Sequence, residues 1–283
     1  MTRLAAGDLQ TTWLPEHGMV GASLTHRGQE LLGQRGGLDA YLAKGSAFGI
    51  PLLAPWANRL DGLRYGDVEL DPAQVKRDGN GLPKDGVLAG REWSVADLGP
   101  AHLSAVLAAD APVLAVFPFP HSWRVDVTLT PGVLTVATTL SATGEVPVPV
   151  SFGWHPLFTL GVPRDELELE LPVRREVVLD ARGIPTGERR DASWRTGSLG
   201  DRIVDAEYDA WDGDVVLRGG GRELRVRFGG DDYPIGHAWA PESETFVAWE
   251  PMTAPTNALL SRAGLRHVNP GASFTAVFSV HVS

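Results

Sequence analysis

Cysteine is absent from this 283-residue chain. That excludes disulfides, thiolate metal sites and a cysteine nucleophile, so any chemistry must come from oxygen and nitrogen groups. Long apolar runs are missing too, and no segment approaches the ~20 apolar residues of a membrane helix. The opening residues Met1-Thr2-Arg3-Leu4-Ala5-Ala6-Gly7-Asp8 meet an acid before any apolar run develops, against a secretory signal. A cytoplasmic protein with no membrane association is expected. Positive charge is in deficit, 25 Lys and Arg against 35 Asp and Glu, for a net charge of −10. This balance opposes binding to nucleic acid or anionic lipid. A neutral or cationic small molecule suits it better.

Several chemical signatures are also lacking. There is no Walker or dinucleotide fingerprint, and Gly219-Gly220-Gly221-Arg222 lies between two strand patterns, as a hairpin turn would. Gly45-Ser46-Ala47-Phe48-Gly49 misses the Gly-x-Ser-x-Gly register, which leaves a serine nucleophile without support. His17, His26, His102, His121, His155, His237, His267 and His281 show no close ligand spacing, so no metal is predicted and most read as surface or hydrogen-bonded histidines. No repeat, low-complexity tail or composition break marks a linker. One domain over residues 1–283 is the economical reading.

What the chain has in quantity is period-two alternation. Val125, Val127 and Leu129 alternate with polar residues, as do Leu167, Leu169 and Leu171, then Leu224, Val226 and Phe228. Phe274, Ala276, Phe278, Val280 and Val282 share one face of a last strand. Turn signals such as Asp78-Gly79-Asn80-Gly81, Pro131-Gly132 and Gly229-Gly230 punctuate these runs. An all-β architecture follows. Helical periodicity is weak everywhere, and its best candidate, Ala101 to Ala111, reads equally as a strand.

Two ionisable residues stand in matching frames. His155 lies in Ser151-Phe152-Gly153-Trp154-His155-Pro156-Leu157-Phe158, and Glu250 in Phe246-Val247-Ala248-Trp249-Glu250-Pro251-Met252-Thr253. The following proline biases each towards extended or turn backbone. Aromatic neighbours supply low-dielectric walls that move a pKa towards neutrality, as an acid and base pair working at pH 7 requires. Taken singly, each residue reads equally as a hydrogen-bonding group at a strand end. A third segment, Pro55-Trp56-Ala57-Asn58-Arg59-Leu60, combines an indole face for the C–H patches of a pyranose with amide and guanidinium donors for its hydroxyls. The competing reading is a structural corner with Arg59 in a salt bridge.

Together, the Pro-Trp-Ala-Asn-Arg-Leu segment, Phe152 to Phe158, and Glu250-Pro251-Met252-Thr253-Ala254-Pro255-Thr256-Asn257-Ala258 resemble the aldose 1-epimerase (galactose mutarotase) family, in this order. Pro15 to Leu32 resembles the family's opening hairpin, Phe117-Pro118-Phe119-Pro120 its lead into a central strand, and Ile203 to Tyr208 its Asp-bearing segment. The resemblance implies a single large antiparallel β-sandwich with an open cleft. It implies interconversion of the α and β anomers of a free monosaccharide, without a cofactor; a monomer or homodimer is expected. Glu250 would be the base at the C1 hydroxyl and His155 the acid at the ring oxygen. Arg59 and Asp205 would bind sugar hydroxyls, with Asn58 and Trp56 as further lining. The pair is expected to face across the cleft with about a sugar ring's width between its members.

One position departs from the pattern. Where the family commonly has His-Gly, Lys84-Asp85-Gly86 puts Asp85 in the histidine's place. A carboxylate accepts hydrogen bonds from hydroxyls but cannot donate when ionised. It would raise the pKa of His155 if the two lie close. The change, with Lys84 and Arg91 flanking it, leaves two alternatives: a non-catalytic sugar-binding protein on the same fold, or an epimerase for a phosphorylated, sulfonated or carboxylated sugar.

Overall fold

The computed structural model describes residues 1–192 and 196–283, and its framework is two large antiparallel sheets packed face to face. In spatial order, the nine-stranded sheet runs Thr196–Ser198, Glu168–Glu170, Val215–Gly219, Arg222–Arg227, Ser273–Val282, Val133–Ala142, His121–Thr130, His102–Ala108 and Ser94–Gly99. Its centre is the hairpin around Pro131-Gly132, in register from His121↔Ala142 to Thr130↔Val133. Along His121–Thr130 the residues His121, Trp123, Val125, Val127 and Leu129 are buried and the others are not, the period of two that a half-buried strand imposes. The eight-stranded sheet includes β1 (Val204–Trp211), β2 (Ile235–Ala240) and β3 (Val247–Met252), paired in that order. Beyond β3 lie Gly153–Trp154 and then Leu52–Leu53, and Leu157–Phe158 also pairs with β3.

The two sheets meet through aromatic side chains. Trp154 stands 5.9 Å from Phe278 and donates from Nε1 to Thr138 Oγ1 at 3.0 Å, while Trp123 meets Phe152 edge-on at 5.2 Å. A four-stranded sheet formed by Thr2–Ala6, Leu9–Leu14, Val20–His26 and Gln29–Glu30 adds Leu4, Leu9, Trp13 and Leu24 to the same core, which extends to Val282. The architecture is the all-β sandwich expected. The ambiguous Ala101 to Ala111 stretch resolves as the strand His102–Ala108, with Leu103 and Ala105 buried between two paired neighbours. A short helix, Ala111–Val116, follows it, capped by Asp110 accepting from the Val113 N–H. Among the described residues no helix is long and apolar enough to cross a membrane.

Candidate active site

The three motif segments are stitched together by backbone hydrogen bonds. Ala57 N–H donates to Ser151 O at 2.6 Å, Thr253 N–H to Phe152 O at 2.9 Å, and Asn257 N–H to Arg59 O at 2.9 Å. The Lys84 to Val87 turn joins them, with Asp85 N–H on Asn58 O at 2.9 Å and Val87 N–H on Ala54 O at 2.8 Å. Glycine is required where these segments cross. A Cβ on Gly86, at φ +66, would lie 1.9 Å from Ala54 O, and one on Gly153 would lie 2.6 Å from Pro251 O. Motifs far apart in sequence thereby become one rigid floor.

The sheet supplies the other wall through its pleat. In β1 and β2 the cross-strand partners Asp205↔Trp239 and Glu207↔His237 face each other, and His237↔Glu250 continues the row into β3. Alternation sends Tyr208 and Trp249 to the opposite face, where they meet at 6.1 Å. One face of three neighbouring strands therefore carries Asp205, Glu207, His237, Trp239 and Glu250. Of these, Asp205, His237, Trp239 and Glu250 line a cavity of 290 Å³ together with Asn58, Arg59, Lys84, Asp85 and His155, while Glu207 is fully buried beside it.

At the floor of the cavity His155 Nε2 lies 3.2 Å from Glu250 Oε1, with both side chains buried. Trp239 stands edge-on to the His155 ring at 5.6 Å, and the Arg35 guanidinium covers its face at 5.3 Å. Burial raises the Glu250 pKa to about 7, against the opposing charge of His237. Burial likewise drives the His155 pKa down to about 3, helped by Lys84 and Lys76. Asp85 pulls His155 upward as its proximity predicts, but burial and the two lysines outweigh it. Asp85 itself is held at about 2: burial works upward, yet Lys84 and Lys76 dominate. Lys76 Nζ sits 2.9 Å and Lys84 Nζ 3.9 Å from its Oδ2.

A polar chain runs behind this pair. Asp78 Oδ2 accepts from Arg59 Nε at 2.7 Å, Arg59 Nη1 donates to Asn58 Oδ1 at 2.9 Å, and Asn58 Nδ2 faces His237 Nδ1 at 3.5 Å. His237 Nε2 meets Asp205 Oδ1 at 2.8 Å. Because the Asn58 oxygen is committed to Arg59, its NH2 faces the imidazole, and neutral His237 therefore carries its proton on Nε2 and donates it to Asp205. Burial depresses the His237 pKa, but Asp205 and the charges of Glu250 and Glu207 overcome it and the net shift is upward. Burial also acts upward on Asp205, and His237 reverses it.

Most of the site residues read from the sequence converge here: His155, Glu250, Arg59, Asn58, Asp85 and Asp205 all line the cavity. Two expectations are corrected. Trp56 does not reach the cleft; it is fully buried in the main core, because its bridge to Ser151 turns the indole inward, and Trp239 supplies the aromatic wall instead. His155 and Glu250 are not a ring's width apart but 3.2 Å, close enough to share one proton. His237, classed from its spacing as an ordinary histidine, lies at the centre of the network. Its sequence signal was the period-two pair His237 and Trp239 in a strand that also reads as buried. Among the described residues no group of three or more acidic or histidine side chains is placed to hold a metal ion.

A family model described as aldose 1-epimerase matches residues 14–281. The chain belongs to the aldose 1-epimerase family. Solved structures agree on the fold. A galactose mutarotase-like protein from Clostridium acetobutylicum superposes with a TM-score of 0.86 at 16% identity, over 99% of this chain and 94% of the other. A putative aldose 1-epimerase from Escherichia coli K12 gives 0.82 at 18% identity, over 99% and 98%. A GalM/aldose epimerase homologue from C. elegans gives 0.80 at 18% identity, again over 99% and 98%. No curated protein matches the chain at significance. In this aldose 1-epimerase family member, then, the motif segments and the sheet face come together around one cavity.

Proposed function

We propose that the protein interconverts the α and β anomers of a free aldose by acid–base opening and closure of the hemiacetal. The observation that carries this reading is the buried His155–Glu250 contact of 3.2 Å at the floor of the 290 Å³ cavity. Ring opening requires removal of the O1 proton and protonation of the ring oxygen, and both oxygens are bonded to the same carbon. An acid and base in contact with each other can therefore address both oxygens. With the pair's one proton passed from Glu250 to His155 across the 3.2 Å contact, Glu250 accepts the O1 proton, His155 gives its proton to O5, the C1–O5 bond breaks and the aldehyde forms. Rotation about C1–C2 and the reverse transfers close the ring on the other face. The proton count of the pair is unchanged over the cycle.

Arg59, Asn58, Asp85 and Asp205 present donors and acceptors to the sugar hydroxyls, and Trp239 offers a flat apolar wall. A neutral sugar is favoured over an anionic one, because the cations around the altered turn already have partners. Lys76 and Lys84 face Asp85, and Arg91 faces Asp110 at 2.8 Å. The burial of Glu250 and His155 favours catalysis over simple binding, since hydroxyl recognition does not require two desolvated titratable groups in contact.

The reading is tested by NMR exchange or polarimetry on freshly dissolved α-anomers of glucose, galactose, arabinose and xylose. Interconversion above the spontaneous rate for at least one of them is expected, and its absence for all would refute the assignment. The working state carries one proton on the pair, so kcat/KM, which reports the free enzyme, should stay level below about pH 7. Above it the pair loses that proton, and kcat/KM should fall about tenfold per pH unit. A rate that instead rises through pH 7 would mean that Glu250 works as a base without a proton on its partner.

A further inference from the structure

Two buried atoms beside the His155–Glu250 contact lack hydrogen-bond partners among the described residues: His155 Nδ1 and Asp85 Oδ1. One short segment, Pro51 to Ala54, holds both residues. His155 N–H donates to Pro51 O at 3.0 Å, Leu52 and Leu53 pair with Trp154 and Gly153, and Ala54 bridges to Gly86, the neighbour of Asp85. Beneath the larger effect of burial, Asp85 draws the His155 pKa up and His155 draws that of Asp85 down. The other carboxylate oxygen is engaged, since Oδ2 accepts from Lys76 Nζ at 2.9 Å and has Lys84 Nζ at 3.9 Å. Oδ1 is thus an ionised acceptor without a donor. His155 offers the complement. Below about pH 7 Glu250 is protonated and donates to Nε2, so the neutral imidazole keeps its own proton on Nδ1. A buried donor and a buried acceptor, each without a partner, are costly unless they serve one another.

We infer that Asp85 is the positioning residue for His155: its Oδ1 accepts, through one water molecule, from the Nδ1–H and so fixes the tautomer whose Nε2 faces Glu250. This inference rests on the anomer-interconversion reading for its kinetic consequences and deepens it by naming what holds the acid. The logic is that of the buried carboxylate behind the histidine of Ser-His-Asp hydrolases. When the pair's proton passes to His155, both ring nitrogens carry hydrogen, and an anion behind Nδ1 stabilises the imidazolium. Asp85 does not take the proton itself, because Lys84 and Lys76 outweigh its burial and hold its pKa at about 2. The two lysines thereby acquire a purpose. They keep the carboxylate ionised where burial alone would neutralise it, and they occupy Oδ2 so that Oδ1 is left for the histidine. The charged and titratable groups acting on His155 are Lys84, Asp85, Lys76 and His237, with Glu250 at Nε2. Asp85 is the anion among them that is not already engaged at Nε2.

The test reads the tautomer directly, by nitrogen NMR of histidine-labelled protein at about pH 6, with the His155 signals assigned by their loss in His155→Asn. Wild type is expected to show Nδ1 protonated and Nε2 not. Asp85→Asn suits the backbone, since φ is +64 there and asparagine adopts that conformation readily. Its amide can turn its NH2 towards Nδ1, so the substitution should move His155 towards the Nε2–H form. In kinetics the same variant should lower kcat about 10²-fold or more while KM changes by no more than about threefold. An unprotonated Nδ1 in wild type overturns the inference, as does a tautomer that Asp85→Asn leaves unchanged. A loss confined to KM, with kcat intact, also overturns it and makes Asp85 a contact for a sugar hydroxyl only. Should wild type convert no sugar, the anomer-interconversion reading has failed, and the nitrogen spectra of wild type and Asp85→Asn alone decide the role of Asp85.

Discussion

Glu250→Gln is expected to reduce kcat for anomer interconversion by about 10²–10⁴-fold, the usual contribution of a placed general base. His155→Asn should fall in the same range. The double substitution should cost little more than either alone, because a pair that moves one proton between its members acts as a unit. The same Glu250→Gln change carries a second, opposite expectation. The folded-state pKa of Glu250 is raised to about 7, above its ordinary value of 4.5, so the folded protein binds the proton more tightly than the unfolded chain. Stability is thus lost as pH rises from about 4.5 to 7, and above 7 the fold carries the full cost of a buried charge. Removing that charge should stabilise the protein by up to about 3 kcal/mol at pH 8, and by almost nothing at pH 4. Denaturant melts at the two pH values read this directly. A variant whose gain over wild type is no larger at pH 8 than at pH 4 would show that the carboxyl is not buried as described.

His237→Leu is the second large effect. The substitution leaves the Asp205 carboxylate without the donor 2.8 Å away and frees Asn58 on its other side, so the groups proposed to bind the sugar lose their fixed orientation. A drop of about 10²-fold in kcat/KM, mostly through KM, is the scale of a misplacement of this kind. The charge of His237 also restrains the Glu250 pKa, so removing it should move the fall in kcat/KM above pH 7 to higher pH. His237→Gln, which can still donate to Asp205, should recover part of the KM. An unmoved pH limb together with an unchanged KM would mean that the histidine only fills space.

How much of this was legible in the sequence depends on whether the cause was local. The strands announced themselves because each apolar residue alternates along its own chain segment, as at Trp123, Val125, Val127 and Leu129. His155, Glu250, Arg59 and Asn58 were legible as motifs because proline and glycine fix the backbone beside them. The role of His237 was not, since every group that defines it comes from elsewhere: Asn58 from the floor, Asp205 from β1 and Glu250 from β3. Trp56 misled for the converse reason. Its motif neighbours reach the cavity, but one bridge to Ser151 sets its side chain on the other face of the segment. The salt bridge foreseen as the bland role for Arg59 also exists, with Asp78, and it is what holds the guanidinium for Asn58.

The row Glu207, His237 and Glu250 across β1, β2 and β3 has a consequence for how the chain finds its fold. A slip of one residue in the pairing of any of these strands would exchange faces, driving two or three ionisable side chains against Phe228, Trp211 and Tyr208 and turning Trp249 towards water. Each unpaired polar group so misplaced costs several kcal/mol. The ionisable row is thus also a proofreading device for strand alignment, and a pairing in the wrong register is rejected by the charges it would bury.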